Sequence, residues 1–273
     1  QLSAIPTPDG HEIYSPPEVD GSRPLSEQTL LIGTGGESIQ GGVSAIRYSA
    51  DGGSFTTEWS APGPGVVATP DRIVDGSRAE QIVATSWNGP VQMLDRSGKQ
   101  VWASQTEGLS SAAQPVLMPG QDGSRDSVVA VLVEGDTFPP HGSNSVVLWL
   151  DAQTGETQRQ LQLDGFSGSD PIVFDLNDDG QQELLVAPVK TDASGIPDSR
   201  LVALDATTGE ELGGVPFAGF AVSTPLIADL DGDGLAELVH ADGAGMTCYN
   251  LNAPVPDGSV ERSYQGAKGP DLG

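Results

Sequence analysis

Nine residues near the end of the chain, Asp229-Leu-Asp231-Gly-Asp233-Gly234-Leu235-Ala-Glu237, place carboxylates at the first, third, fifth and ninth positions and glycine at the sixth. That spacing suits a hard cation. Ca²⁺ takes about six to eight oxygens at about 2.3–2.6 Å, and short carboxylates on alternate residues let one loop wrap it. Gly234 can turn the backbone sharply because it adopts a positive φ without a Cβ penalty. Leu235 would offer its carbonyl and Glu237 its longer carboxylate. A second copy lies upstream as Asp175-Leu-Asn177-Asp-Asp179-Gly180-Gln181-Gln-Glu183, where Asn177 supplies the third-position oxygen. Because the acid closes the loop at position nine, neither copy is an EF-hand, whose closing acid stands at about position twelve. Two Asp/Gly-rich hairpin turns that bind nothing would have a similar composition. Recurrence of the whole ligand pattern in one context favours the metal.

The flanks of these loops show what must hold them. Pro225-Leu-Ile-Ala runs in and Leu238-Val239 runs out, apolar stretches of strand length. Gly 36 and Pro 21, against 37% hydrophobic residues, point to many short strands joined by turns. No window keeps a 3.6-residue apolar period. No apolar run approaches the ~18 residues that a membrane-crossing helix needs. At 273 residues the chain has room for one large all-β unit or two ordinary domains. Its start at Gln1 is read as a processed mature protein, though a trimmed sequence would look the same.

Thirty-eight acids face twelve bases, giving a formal net charge of -26. Such a field repels nucleic acid and anionic lipid and attracts cations. It also describes a solvated acidic surface of the kind that keeps proteins soluble in salt. Cys248 is the single cysteine and permits no internal disulfide; its setting in Met246-Thr-Cys-Tyr-Asn-Leu251 reads as a buried strand. An extracytoplasmic protein without disulfides needs other rigidity, and bound metal or a closed sheet would supply it.

A repeat sets the architecture. Ser15-Pro16, Thr69-Pro70, Gln114-Pro115, Asp170-Pro171 and Thr224-Pro225 each open an apolar run, at spacings of 54, 45, 56 and 54 residues. After each comes an Asp/Gly-rich turn and a second strand, such as Glu183-Leu-Leu-Val-Ala187 or Glu237-Leu-Val-His-Ala241. A third strand ends in another turn, as in Val91–Asp95, Val146–Asp151 and Leu201–Asp205, and a fourth follows, with Trp59 and Trp102 at equivalent places. Four antiparallel strands in each unit of 45–56 residues predict an all-β chain, a β-propeller of about five four-stranded blades. The expected blades cover about 15–66, 67–111, 112–167, 168–221 and 222–266, with 1–14 as an N-terminal extension that helps ring closure and 267–273 as a tail.

The pattern Leu-Asp-Ala-x-Thr-Gly-Glu at 150–156 and 204–210 resembles the blade motif of PQQ-like propeller repeats. The loops at 175–183 and 229–237 resemble the calcium loops of FG-GAP (VCBS-type, integrin-α-like) repeats. That resemblance implies structural calcium, about two ions. The ligands would be Asp175, Asn177, Asp179, the carbonyl of Gln181 and Glu183, then Asp229, Asp231, Asp233, the carbonyl of Leu235 and Glu237. The other units depart from the pattern. Met118 and Gly120 stand where the third would need ligands, and Arg23 and Arg78 stand in the turns of the first two. A guanidinium there would pair with a carboxylate in place of metal.

Catalysis is not expected. One cysteine excludes the adjacent cysteine pair of PQQ dehydrogenases, and His11, His141 and His240 lack the spacing of a catalytic metal site. Ser167-Gly168 lacks the setting of a nucleophile elbow, and Gly33-Thr-Gly-Gly36 precedes no helix that would make it a phosphate cradle. Long second-to-third-strand loops, 134–144 and 190–199, fall in adjacent units and would form one raised patch, with Phe138, His141 and Ile196 as contacts. Ordinary drift in loop length would produce the same insertions. The expected role is an extracytoplasmic (secreted, periplasmic or cell-surface) interaction or adhesion module, or an accessory subunit of a surface or membrane-associated assembly, with a protein partner. The alternative is a carbohydrate-binding or carbohydrate-active propeller, which the 5% aromatic content does little to favour.

Overall fold

The structure, a computed structural model, describes residues 6–19, 24, 28–36, 39–49, 53–66, 68–73, 80–104, 106–111, 113–120, 125–135, 144–176, 179–191, 197–218, 224–230, 236–242, 245–250 and 262–265. Among them are twenty-two strands in five antiparallel sheets. Sheet one runs β1 (Glu18–Val19), β2 (Thr29–Thr34), β3 (Gly41–Ser49), β4 (Ser54–Gly63). Sheet two runs β5 (Asp71–Ile73), β6 (Gln81–Ala84), β7 (Gln92–Asp95), β8 (Gln100–Ala103). Sheet three orders β10 (Val116–Met118), β11 (Ser127–Glu134), β12 (Ser145–Asp151) and β13 (Thr157–Leu163), with β9 (Leu109–Ser110) pairing with the last two residues of β11. Sheet four holds β14 (Ile172–Phe174), β15 (Glu183–Val186), β16 (Val189–Thr191), β17 (Pro197–Asp205) and β18 (Glu211–Ala218), and sheet five holds β19 (Leu226–Ala228), β20 (Glu237–Asp242), β21 (Gly245–Asn250) and β22 (Arg262–Gln265). No helix of the described residues is long and apolar enough to cross a membrane.

In four sheets the repeated proline stands immediately before the opening strand, and in sheet one two prolines precede Glu18. A missing N–H costs little there, because the ladder has not begun. The central strands are buried on both faces: every residue of β12 is buried, as are all but the last of β11. The fourth strands β4 and β13 are mostly exposed, which marks them as sheet edges.

By its internal contacts the chain divides into two compact units, Gln1–Gln162 and Leu163–Gly273. In the first, Leu31, Val43 and Ala45 of sheet one pack on Ile82, Ala84 and Leu94 of sheet two. The opposite face of sheet two, with Val83 and Met93, packs on Val128, Ala130 and Leu148 of sheet three. Adjacent residues of β6 thus serve two different cores, as the period of two demands. In the second unit, Leu185 and Leu201 of sheet four pack on Leu238 and Tyr249 of sheet five.

Tryptophans join successive sheets in the first unit. Asp95, Asp151 and Asp205 each end a third strand and fold the following turn by accepting backbone N–H groups, for example those of Gln153 at 2.9 Å and Thr154 at 3.0 Å on Asp151. The turns need glycine, with φ of 80° at Gly98, 72° at Gly155 and 72° at Gly209. Trp59 of β4 lies against Gly98, and Trp102 of β8 lies against Gly155 while its Nε1 donates to the carbonyl of Ala152 at 3.1 Å.

Candidate metal centre

The upstream loop joins β14 to β15, and the aspartates order its backbone. Asp175 accepts the N–H of Asp179 at 3.2 Å and of Gly180 at 2.9 Å, and Asp179 accepts that of Gln181 at 2.8 Å. Gly180, the sixth residue, has φ 84°, the left-handed turn that its glycine permits. Glu183 opens β15 and turns its carboxylate back into the loop, where Oε2 accepts the N–H of Leu176 at 2.6 Å. Strand pairing sets Glu183 opposite Asp205, the acid that ends β17.

Three acids, Asp175, Asp179 and Asp205, therefore act on the charge of one buried carboxylate. Burial, then the neighbouring Asp179, Asp175 and Asp205, holds the Glu183 carboxyl above the usual carboxylate range, despite the bond from Leu176 that favours its charged form. A cation beside a carboxylate in this setting would favour its charged form.

The downstream loop repeats the closing contact. Glu237 is 4% exposed, and its Oε2 accepts the N–H of Leu230 at 2.9 Å. Its Oε1 is buried without a hydrogen-bond partner among the described residues. A buried carboxylate oxygen with no donor is costly, and a metal bond removes that cost. The donor set is all oxygen, which suits Ca²⁺ or Mg²⁺ over softer metals. The residues present fit a hard cation.

Of the residues expected to bind, Asp175, Asp179, Gln181, Glu183, Asp229 and Glu237 are placed at the loops, whereas Asn177, Asp231, Asp233 and Leu235 lie outside the described residues. Among the described residues, no three His, Cys, Asp or Glu side chains come close enough together to hold a metal unaided. Phe138, His141 and Ile196 also lie outside the described residues, as do Arg23 and Arg78. The stem of the 190–199 loop is a β16–β17 hairpin, with Val189 opposite Ser199 and Thr191 opposite Pro197.

Where sheet three lacks the loop's first ligands, a guanidinium meets the acid. Arg125 donates to Asp151 at 3.0 Å, and Asp151 ends β12 as Asp205 ends β17. Burial pushes the Asp151 carboxyl up, but the Arg125 bond and two backbone N–H groups outweigh it and hold the carboxyl below its usual range. Sequence reasoning missed both Arg125 and Arg72 in this role. The Arg72 side chain is 5% exposed and pairs with Glu80, with Glu18 3.8 Å away.

No protein-family model matches the sequence, and no curated protein matches it. Solved structures do match. The quinohemoprotein alcohol dehydrogenase from Comamonas testosteroni aligns with 92% of this chain and 43% of its own, with TM-score 0.62 and 16% sequence identity. BamB from Moraxella catarrhalis aligns with 89% of this chain and 59% of its own, with TM-score 0.51 and 17% identity. The V. cholerae biofilm matrix protein Bap1 aligns with 94% of this chain and 40% of its own, with TM-score 0.58 and 18% identity. The fold is a β-propeller. Its sheets are the blades, and the chain spans less than two thirds of the length of each of these structures. At such identities the likeness concerns the fold and leaves the role to the residues.

Proposed function

We propose that the chain is an extracytoplasmic, calcium-stabilised β-propeller that acts by binding a protein partner, as an adhesion or interaction module or as an accessory subunit of a surface assembly, and not by catalysis. The observation that carries the calcium reading is Glu237, a carboxylate drawn into its loop with one oxygen on a backbone N–H and the other buried without a donor among the described residues. The acids around Glu183 support it from the other loop. Asp175, Asn177, Asp179, the carbonyl of Gln181 and Glu183 would hold one ion, and Asp229, Asp231, Asp233, the carbonyl of Leu235 and Glu237 the other. Each ion would neutralise part of the acid load and tie the first strand of its blade to the second.

Placement outside the cytoplasm and a binding role rest on the calcium-loop pattern, the lone cysteine, the net charge of -26 and the two long loops read from the sequence. One of the matched structures is, by its own description, a biofilm matrix protein. The absence of a nucleophile–base spacing in the sequence supports the non-catalytic reading. Calorimetric titration of metal-free protein with Ca²⁺ tests the proposal. Two saturable sites are expected, one lost in Glu183→Gln and the other in Glu237→Gln. Absence of binding heat at millimolar Ca²⁺ would refute it.

A further inference from the structure

In a chain with twelve Lys and Arg against thirty-eight acids, three guanidiniums line one small cleft between the first two blades. Arg47 comes from β3, Arg72 from β5 and Arg96 from the turn after β7, with Glu58, Glu80 and Trp59 completing the part that matters here. The cleft holds about 40 Å³. Two of the guanidiniums have acids assigned to them. Arg72 is buried against Glu80, near Glu18, and its Nη2 reaches the hydroxyl of Thr29 at 3.1 Å. Arg47 is paired with Glu58 at a half-exposed site.

Arg96 differs from both. It is exposed at the cleft mouth and has no hydrogen bond or ion pair among the described residues. A guanidinium presents five N–H donors in a fixed fork matched to planar and tetrahedral oxyanions. In a chain with so large an excess of acids, an arginine left without a carboxylate among the described residues, beside two paired ones, is an open anion position. The lining groups count three cations against two anions, and Glu18 lies 3.8 Å from Arg72.

We propose that this cleft binds an oxyanion, a carboxylate or sulfate group, through Arg96 with Arg47 beside it. Size sets the limit on what enters. A water needs roughly 10–15 Å³ of such volume, so the cleft takes the place of about three waters. That admits one oxyanion group and excludes a sugar ring. If the group is carried on an acidic glycan, the ring stays at the mouth beside the half-buried Trp59. The field of a chain with net charge -26 gives no long-range steering toward an anion, so affinity comes from short-range donors and is weak.

The test is calorimetric titration of the full chain, at fixed ionic strength, with sulfate, galacturonate and trigalacturonate. Saturable binding is expected for at least one. Arg96→Gln should weaken it at least about tenfold, because it removes charge-assisted hydrogen bonds. Glu58→Gln should tighten it by releasing Arg47, a gain that a misfolded variant would not show. Tighter binding of trigalacturonate than of sulfate assigns the group to a glycan, and the reverse assigns it to a free anion. The proposal is overturned if none of the three binds saturably, or if Arg96→Gln leaves the affinity unchanged.

Discussion

Replacing Gly155 by alanine tests how the second and third blades are joined. Gly155 has φ 72°, and a Cβ there would lie 2.5 Å from Cε3 of Trp102. The left-handed backbone alone costs an alanine about 1–2 kcal/mol. The ring cannot swing aside freely, since Trp102 is 7% exposed and its Nε1 is bound to the carbonyl of Ala152. Overpacking of that kind adds about 1–3 kcal/mol. Gly108 separates the two terms, because it has φ 75° with nothing within 4 Å of its Cβ position. Gly108→Ala should therefore cost only the backbone term. Urea unfolding followed by far-UV circular dichroism measures both variants against the parent chain. The reasoning fails if Gly155→Ala is no more destabilised than Gly108→Ala, since the ring would then not press on the turn.

Two further predictions concern acids. Without metal, the raised carboxyl of Glu183 means that the folded state holds its proton more tightly than the unfolded chain, so stability falls as pH rises from the ordinary value of 4.5 through the folded one. Glu183→Gln should flatten that fall in EDTA and raise stability at pH 7; an unchanged pH profile would contradict it. Asp151 has the opposite sign, because its carboxyl lies below the ordinary value of 3.8. Its contribution is present above that value and is lost as pH drops through the folded one. Asp151→Ala should cost about 1–2 kcal/mol at pH 7, mostly from the two orphaned backbone N–H groups, since Arg125 is largely exposed. A change below about 0.3 kcal/mol in denaturant unfolding would refute it.

The sequence showed the strands where local chemistry marks them. Pro70, Pro115, Pro171 and Pro225 lie directly before opening strands, and the Leu-Asp pairs at 94–95, 150–151 and 204–205 close the third strands. Proline fixes where a ladder can begin and aspartate caps a turn, so both signals are local. The pairing of Leu109–Ser110 with Val133–Glu134 is set by tertiary register, and two residues carry no period of their own. The candidate ligands of the loops are legible as residue types. The proximity of Asp205 to Glu183 was not, because it depends on which residues of β15 and β17 face each other. Arg72 was hidden for the same reason, as Glu80, Glu18 and Thr29 come from three different strands or their ends.

A thermal melt in EDTA and again with Ca²⁺ addresses the central claim directly. Each proposed site would contribute about 2.7 kcal/mol when Ca²⁺ stands at about a hundred times its dissociation constant. Two sites would then raise Tm by roughly 10–20 °C for a chain of this size. Glu183→Gln and Glu237→Gln should each remove about half of that rise. An unchanged Tm across millimolar Ca²⁺, with both glutamates intact, would reduce the two loops to acidic turns and contradict the account.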